Sequence, residues 1–195
     1  MMRARAFLLF GAPGSGKGTQ GHILGQIPGF YHLACGDVFR NLDLKSEVGR
    51  AFLEYSSRGE LVPNDVTLKQ WRRHLQQMID LGRFKPEIDH LVLDGIPRNV
   101  EQARLMDEDI AVKKIFYLVC PDEEVLVERM QRRALKENRF DDANADVIRR
   151  RLETYRRETQ PVLDYYGPTM VVRVDATVYP YEVLREILGH IETRT

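Results

Sequence analysis

Residues 11–20 read GAPGSGKGTQ and directly follow the apolar run AFLLF at 6–10. A strand that feeds a glycine-rich turn and then a helix start gathers backbone N–H groups and a helix dipole around one point. A polyphosphate needs that arrangement. Gly11, Gly14 and Gly16 let the backbone curl closely, and Lys17 adds a full positive charge in the G-x-x-x-x-G-K pattern of a phosphate-binding loop. One position departs from the pattern. The residue after the lysine, ordinarily a Ser or Thr for Mg²⁺, is Gly18, and the hydroxyl comes one place later at Thr19. Gly14, Ser15, Gly16, Lys17, Gly18 and Thr19 are therefore the candidate triphosphate contacts.

Outward from this loop, short β-rich apolar runs at 6–10, 31–33, 91–93, 115–119 and 170–174 alternate with longer helical patterns. Continuous apolar strands between helices indicate a parallel sheet covered on both faces, here with five strands. Asn64 is placed to cap a helix carrying Leu68, Trp71, Leu75 and Met78 at helical spacing, with Gly82 ending it. Asp122 precedes a second stripe, Val125, Leu126 and Met130, and a last helix starts near Pro180. Two stretches interrupt the alternation: 34–63, which reads as two short helices, and the polar, arginine-rich 132–142. Insertions after strand carboxyl ends sit where ligands bind in open α/β sheets.

The chain has 195 residues, enough for one sizeable core and too few for two ordinary domains. Its formal net charge is zero, which argues against a nucleic-acid partner gripped by overall charge. Two cysteines, Cys35 and Cys120, make no disulfide framework, and no Cys/His ligand cluster occurs; a reducing cytosol fits. No segment approaches the roughly 18–20 apolar residues of a membrane span, and the apolar start is too short for a signal peptide. The five histidines lack metal spacing and read as surface or satisfied core residues.

Asp94 follows the run HLVL at 90–93 and precedes Gly95-Ile96-Pro97-Arg98. A carboxylate at the end of a buried strand beside a phosphate loop can hold the waters of Mg²⁺, and an arginine four residues on can clamp a phosphate bidentately. With this pairing in place, GxPGSGKGTQ, GDVFR, GELVP, LDGIPR followed by Gln102, and RFDD stand in the order and spacing of the adenylate kinases. The chain resembles that family over nearly its whole length. The resemblance implies a three-layer fold similar to the P-loop nucleoside triphosphate hydrolases. It divides the chain into a core (1–33, 64–131, 143–195), a flap binding the nucleoside monophosphate (34–63) and a short lid (132–142). It further implies reversible transfer of the γ-phosphoryl group of Mg-ATP to AMP by a monomer.

By the same resemblance, Arg40 and Arg98 hold the phosphate of AMP, and two guanidinium forks on one dianion orient it for in-line attack. Cys35, Glu60, Leu61, Val62, Gly95, Ile96 and Pro97 line the AMP site. Gln102 reads adenine, since a carboxamide satisfies its amino donor and ring-nitrogen acceptor together. Arg129 stacks on the ATP base, Val178 touches it, Arg133 binds phosphate, and Arg139 and Arg151 reach the transferred group. Arg150 stands in reserve for Arg151. Arg149, Arg150, Arg156 and Arg157 read as solvated salt-bridge partners. Cys35 stands where the family usually has threonine. The similar CMP/UMP kinases also lack that threonine and place asparagine after the arginine, as Asn99 is here, but they lack the glutamine, so Gln102 favours AMP. An inactive nucleotide-binding regulator is the alternative of another class; every charged residue the chemistry requires is present.

Overall fold

β1 (Ala4–Phe10) is buried on both faces: Ala4, Ala6, Leu8 and Phe10 join one apolar cluster, Phe7 and Leu9 another. A strand with two apolar faces belongs at the middle of a sheet covered on both sides. The computed structural model, which describes residues 3–137, 142 and 144–191, puts it there. It pairs in parallel with β3 (His90–Asp94) and β4 (Ile110–Val119). β2 (Phe30–Ala34) and β5 (Val171–Asp175) complete an all-parallel sheet of order β2-β3-β1-β4-β5. The strand order reverses direction at β1, so the crevice for a ligand opens at its carboxyl end.

The helices among the described residues are α1 (Lys17–Leu24), α2 (Cys35–Arg40), α3 (Glu47–Ser57), α4 (Asn64–Asp80) and α5 (Val100–Met106), followed by α6 (Glu123–Glu137), α7 (Ala145–Thr154), α8 (Val162–Tyr166) and α9 (Pro180–Gly189). Leu68, Trp71, Leu75 and Met78 of α4 pack with Ala103 and Met106 of α5 on one sheet face. Leu24 of α1 and Val183 and Ile187 of α9 cover the other. Leu126 and Met130 of α6 meet Ile148 and Leu152 of α7 in a third, smaller cluster. No helix of the described residues is long and apolar enough to cross a membrane.

Two local readings are corrected. β4 begins at Ile110, five residues before the apolar run that marks it in the sequence. Its register against β1 shifts between Ala6 and Phe7, which pair with Val112 and Lys114. This irregularity reverses the facing of the side chains, so Ile110 and Ile115 both enter the same cluster despite their odd spacing. Asn64 does not cap α4: the N-cap position is Pro63, without a side-chain bond. Asn64 spends its carboxamide elsewhere, as described below. Gly82 does follow the helix end with φ +66°, and Asp122 Oδ1 accepts from Glu124 N–H at 2.9 Å.

Leu8 is wholly buried at the sheet centre, so Leu8→Ala should destabilise the protein by about 2–5 kcal/mol. Leu135, 86 % exposed, should tolerate the same change within about 0.5 kcal/mol. Urea denaturation of the two variants measures both.

Candidate active site

The loop between β1 and α1 closes tightly because its glycines take backbone conformations and contacts that side chains cannot. Gly14 has φ +83°, and a Cβ there would stand 2.6 Å from the carbonyl oxygen of Leu126. Gly16 caps α1 in the left-handed region with φ +96° and leaves the helix N-terminus open. Lys17 Nζ donates to the carbonyl oxygens of Gly11 at 2.7 Å and Ala12 at 2.9 Å. Burial pushes its ammonium down to about 8; Asp94 opposes that shift, while Arg133, Arg98 and Arg151 add to it. A lysine amid three guanidinium groups is a site built for an anion of high charge.

That loop floors a cavity of about 970 Å³, at the upper end of the ~300–1,000 Å³ usual for small-molecule sites. The sheet supplies Asp94 at the carboxyl end of β3, paired in register with Leu9 of β1. α6 supplies Arg129 and Arg133, and α7 supplies Arg151. The turn after β3 passes through Gly95 (φ +74°) to Arg98, whose Nε donates to the Gly95 carbonyl at 2.8 Å. Thr159, in the π-helical turn Tyr155–Thr159, donates from Oγ1 to the Arg98 carbonyl at 2.8 Å. Arg40 of α2 faces the cavity while paired with Asp37.

Ser15, Gly18, Thr19, Glu60, Leu61, Val62, Pro97 and Val178 also line this cavity. Arg129 Nη1 donates to the Ala176 carbonyl at 3.0 Å, which fixes α6 to the loop carrying Val178. Arg151 lines the cavity and Arg150 does not. Arg149, Arg156 and Arg157 pair with Asp146, Glu123 and Glu158. Arg139 lies outside the described residues, as do parts of 132–142.

Three acceptor-site candidates do not face the cavity. Cys35 and Ile96 are 3 % and 1 % exposed and belong to the apolar cluster under α4. Burial pushes the Cys35 thiol up to about 11, so it stays protonated. Gln102 is 1 % exposed, with Oε1 accepting from Arg98 N–H at 2.8 Å and Nε2 donating to Asn64 Oδ1 at 2.9 Å. The reading of the histidines is corrected at His32: its Nε2 is buried without a hydrogen-bond partner, and burial lowers its basicity. Ser15 Oγ and Gln20 Oε1 are buried and unpaired as well, and all three residues line the cavity. Unpaired buried polar atoms on residues that line a cavity suit a polar ligand there.

One contributor carries no role in the sequence reading. Asp142 is fully buried; its Oδ2 accepts from Arg133 Nε at 2.9 Å and Nη2 at 2.6 Å, and its Oδ1 accepts from Arg151 Nη1. One carboxylate thus aligns two guanidinium groups from different helices. Its place at the end of the RFDD motif was a visible signal, but the arginines it joins each stand nine residues away.

For Mg²⁺, no group of three or more His, Cys, Asp or Glu side chains gathers among the described residues. Asp94 Oδ2 lies 3.6 Å from where a Cβ on Gly18 would stand, and the hydroxyl of Thr19 is one residue away. A single carboxylate beside a phosphate loop fits a hydrated magnesium ion that takes its other ligands from phosphate oxygens and water.

Comparison with known proteins gives a consistent result. The family model described as adenylate kinase matches residues 9–171. An adenylate kinase of Corynebacterium urealyticum is 39 % identical over 176 residues, covering 87 % of this chain and 89 % of the relative. One of Thermobifida fusca is 35 % identical over 193 residues, 96 % and 98 % of the two chains. One of Thermus thermophilus is 35 % identical over 190 residues, 94 % and 95 %.

The burial of Cys35 has a direct consequence. Iodoacetamide at pH 8 should alkylate the half-buried Cys120 well before Cys35, which should react only on unfolding. Peptide mass spectrometry over a time course reads the order; early modification of Cys35 would contradict its placement.

Proposed function

The chain belongs to the adenylate kinase family, and from that premise we propose that it transfers the γ-phosphoryl group of Mg-ATP reversibly to AMP, giving two ADP. What supports this reading most is the convergence of Lys17, Arg98, Arg133 and Arg151 on one cavity with Asp94. A phosphate oxygen of AMP attacks the γ-phosphorus in line while the bond to the β–γ bridging oxygen breaks, so no covalent enzyme intermediate is needed. There is little bond-making work for side chains. Catalysis is positioning and stabilisation of charge on the equatorial oxygens.

In this reading Lys17 and the N–H groups of Gly14–Thr19 hold the β- and γ-phosphates, and Arg129 and Val178 border the ATP base. Arg40 and Arg98 fix the acceptor phosphate. Glu60, Leu61 and Val62 line its nucleoside, and we assign the adenine edge to Gln102, which is 1 % exposed behind the lining residues and meets the base only when the acceptor displaces its cover. Arg133 and Arg151, both paired with Asp142, act on the transferring group, with Arg139 as a further donor. Asp94 would hold a hydrated magnesium ion through water, and that ion would supply charge neutralisation to the phosphates. Residues 34–63 form the acceptor flap and 132–142 the short lid, whose closure excludes water from ATP. We assign the protein to the cytoplasm, as a monomer acting on small nucleotides, without nucleic-acid or membrane partners.

Phosphoryl transfer from Mg-ATP to AMP, CMP, UMP and GMP, with Lys17→Ala as the blank, tests the reading. AMP should dominate by about a hundredfold; a lead for CMP or UMP would overturn the acceptor assignment, and no transfer at all would overturn the activity. Arg151→Ala should lower kcat by about 10² to 10⁵, whereas Arg150→Ala should stay within about tenfold of wild type. Equal losses in the two variants would remove Arg151 from the reacting centre.

A further inference from the structure

Behind the acceptor side of the cavity Gln102 joins a polar cluster whose other side chains, Asn64, Asn99 and Glu101, have no role in the phosphoryl-transfer reading. Asn64, at the start of α4, places its Oδ1 2.9 Å from both Asn99 Nδ2 and Gln102 Nε2, and donates from Nδ2 to Glu101 Oε2 at 2.6 Å. Asn99 accepts the Gln102 backbone N–H on its own Oδ1 at 2.8 Å, capping α5. Gln102 Oε1 accepts from the Arg98 backbone N–H at 2.8 Å.

The two ends of this chain of bonds permit one polarity. A backbone N–H can only donate, so the Gln102 atom facing Arg98 has to be oxygen. A carboxylate can only accept, so the Asn64 atom facing Glu101 has to be nitrogen. Between these ends the amide directions follow without ambiguity: Asn64 presents oxygen to Gln102, and Gln102 presents nitrogen to Asn64. Reversing Gln102 would set donor against donor at Arg98 and acceptor against acceptor at Asn64.

We propose that Asn64 is a positioning residue for acceptor specificity: it locks the Gln102 carboxamide in the direction that matches adenine. This rests on the reading of Gln102 as the adenine contact. One lone pair of Oε1 and one hydrogen of Nε2 remain unused in the network, and they match the amino donor and ring-nitrogen acceptor of adenine. Hypoxanthine has the same size but the reverse edge, a carbonyl acceptor beside a ring N–H donor. Accepting it requires the flip that the network forbids. A discrimination built this way lies in a bond one residue removed from the nucleotide, supplied by α4 to α5 across 38 positions of sequence.

The test compares kcat and KM for AMP and inosine monophosphate, with Mg-ATP as donor, in wild type and three variants. Asn64→Leu removes the acceptor facing Gln102 and should narrow the AMP-to-inosine ratio of kcat/KM about tenfold, the cost of one mispaired buried hydrogen bond. The change should fall on the two KM values and not on kcat. Asn64→Asp combined with Glu101→Gln restores an acceptor towards Gln102 while keeping a bond to position 101, and should return the ratio to within about threefold of wild type. If Asn64→Leu does not fold by thermal melt, Asn64→Ala is judged by the same criterion. A wild-type preference for AMP that survives loss of the Asn64 acceptor, or a double variant as permissive as Asn64→Leu, overturns the positioning role and leaves the adenine reading standing. A wild type that uses both nucleotides equally overturns the adenine reading itself, and the proposal with it.

Discussion

The structure depends on holding like charges together around the end of one strand. Lys17 sits on the carbonyl oxygens of Gly11 and Ala12, and burial first, then Arg133, Arg98 and Arg151, lower its proton affinity against the pull of Asp94. Each guanidinium is anchored: Arg98 by the Gly95 carbonyl, and Arg133 and Arg151 by the shared Asp142 carboxylate. The carboxylates of Asp94 and Asp142 offset part of that charge and leave the cations in excess. On the function proposed, a bound polyphosphate supplies the missing negative charge, and the same groups then serve both binding and charge stabilisation.

The sheet makes that concentration possible. β1 is apolar on both faces, which seats it centrally and fixes the phosphate loop at the carboxyl edge where the strand order reverses. Parallel pairing delivers Asp94 to the same edge, level with Leu9. α6 and α7 pack on each other through Leu126, Met130, Ile148 and Leu152, and that small cluster brings Arg133 and Arg151 within reach of one carboxylate. The arginines of α6 and α7 are thus placed by helix packing and Arg98 by a turn after β3. Thr159 joins them through its bond to the Arg98 carbonyl.

What could be read from the sequence was what is local. The phosphate loop is a contiguous string, and the strand runs are contiguous apolar stretches, so both declare themselves. The first half of β4 did not, because Lys113 and Lys114 interrupt its apolar run and a register irregularity breaks its alternation. Asn64 looked like a helix cap because caps are judged by neighbouring residues. Its actual partners, Asn99 and Gln102, are 35 and 38 residues distant. The same holds for Asp142, and for the buried, unpaired Nε2 of His32, which only packing could place at the cavity wall. Membership of the family was legible from several motifs together; the network that orients the residues within those motifs was not.

The most direct test of the charge account is calorimetric. Binding of Mg-ATP at pH 8.5, measured in buffers of different ionisation enthalpy, reports the protons exchanged. With its ammonium held near 8, Lys17 is mostly neutral at that pH, and the arriving triphosphate favours the charged form. The account predicts uptake of a large fraction of one proton in wild type and none in Lys17→Met. Binding without proton uptake in wild type would show that Lys17 is already fully charged, and would contradict a cavity held in electrostatic deficit until the nucleotide arrives.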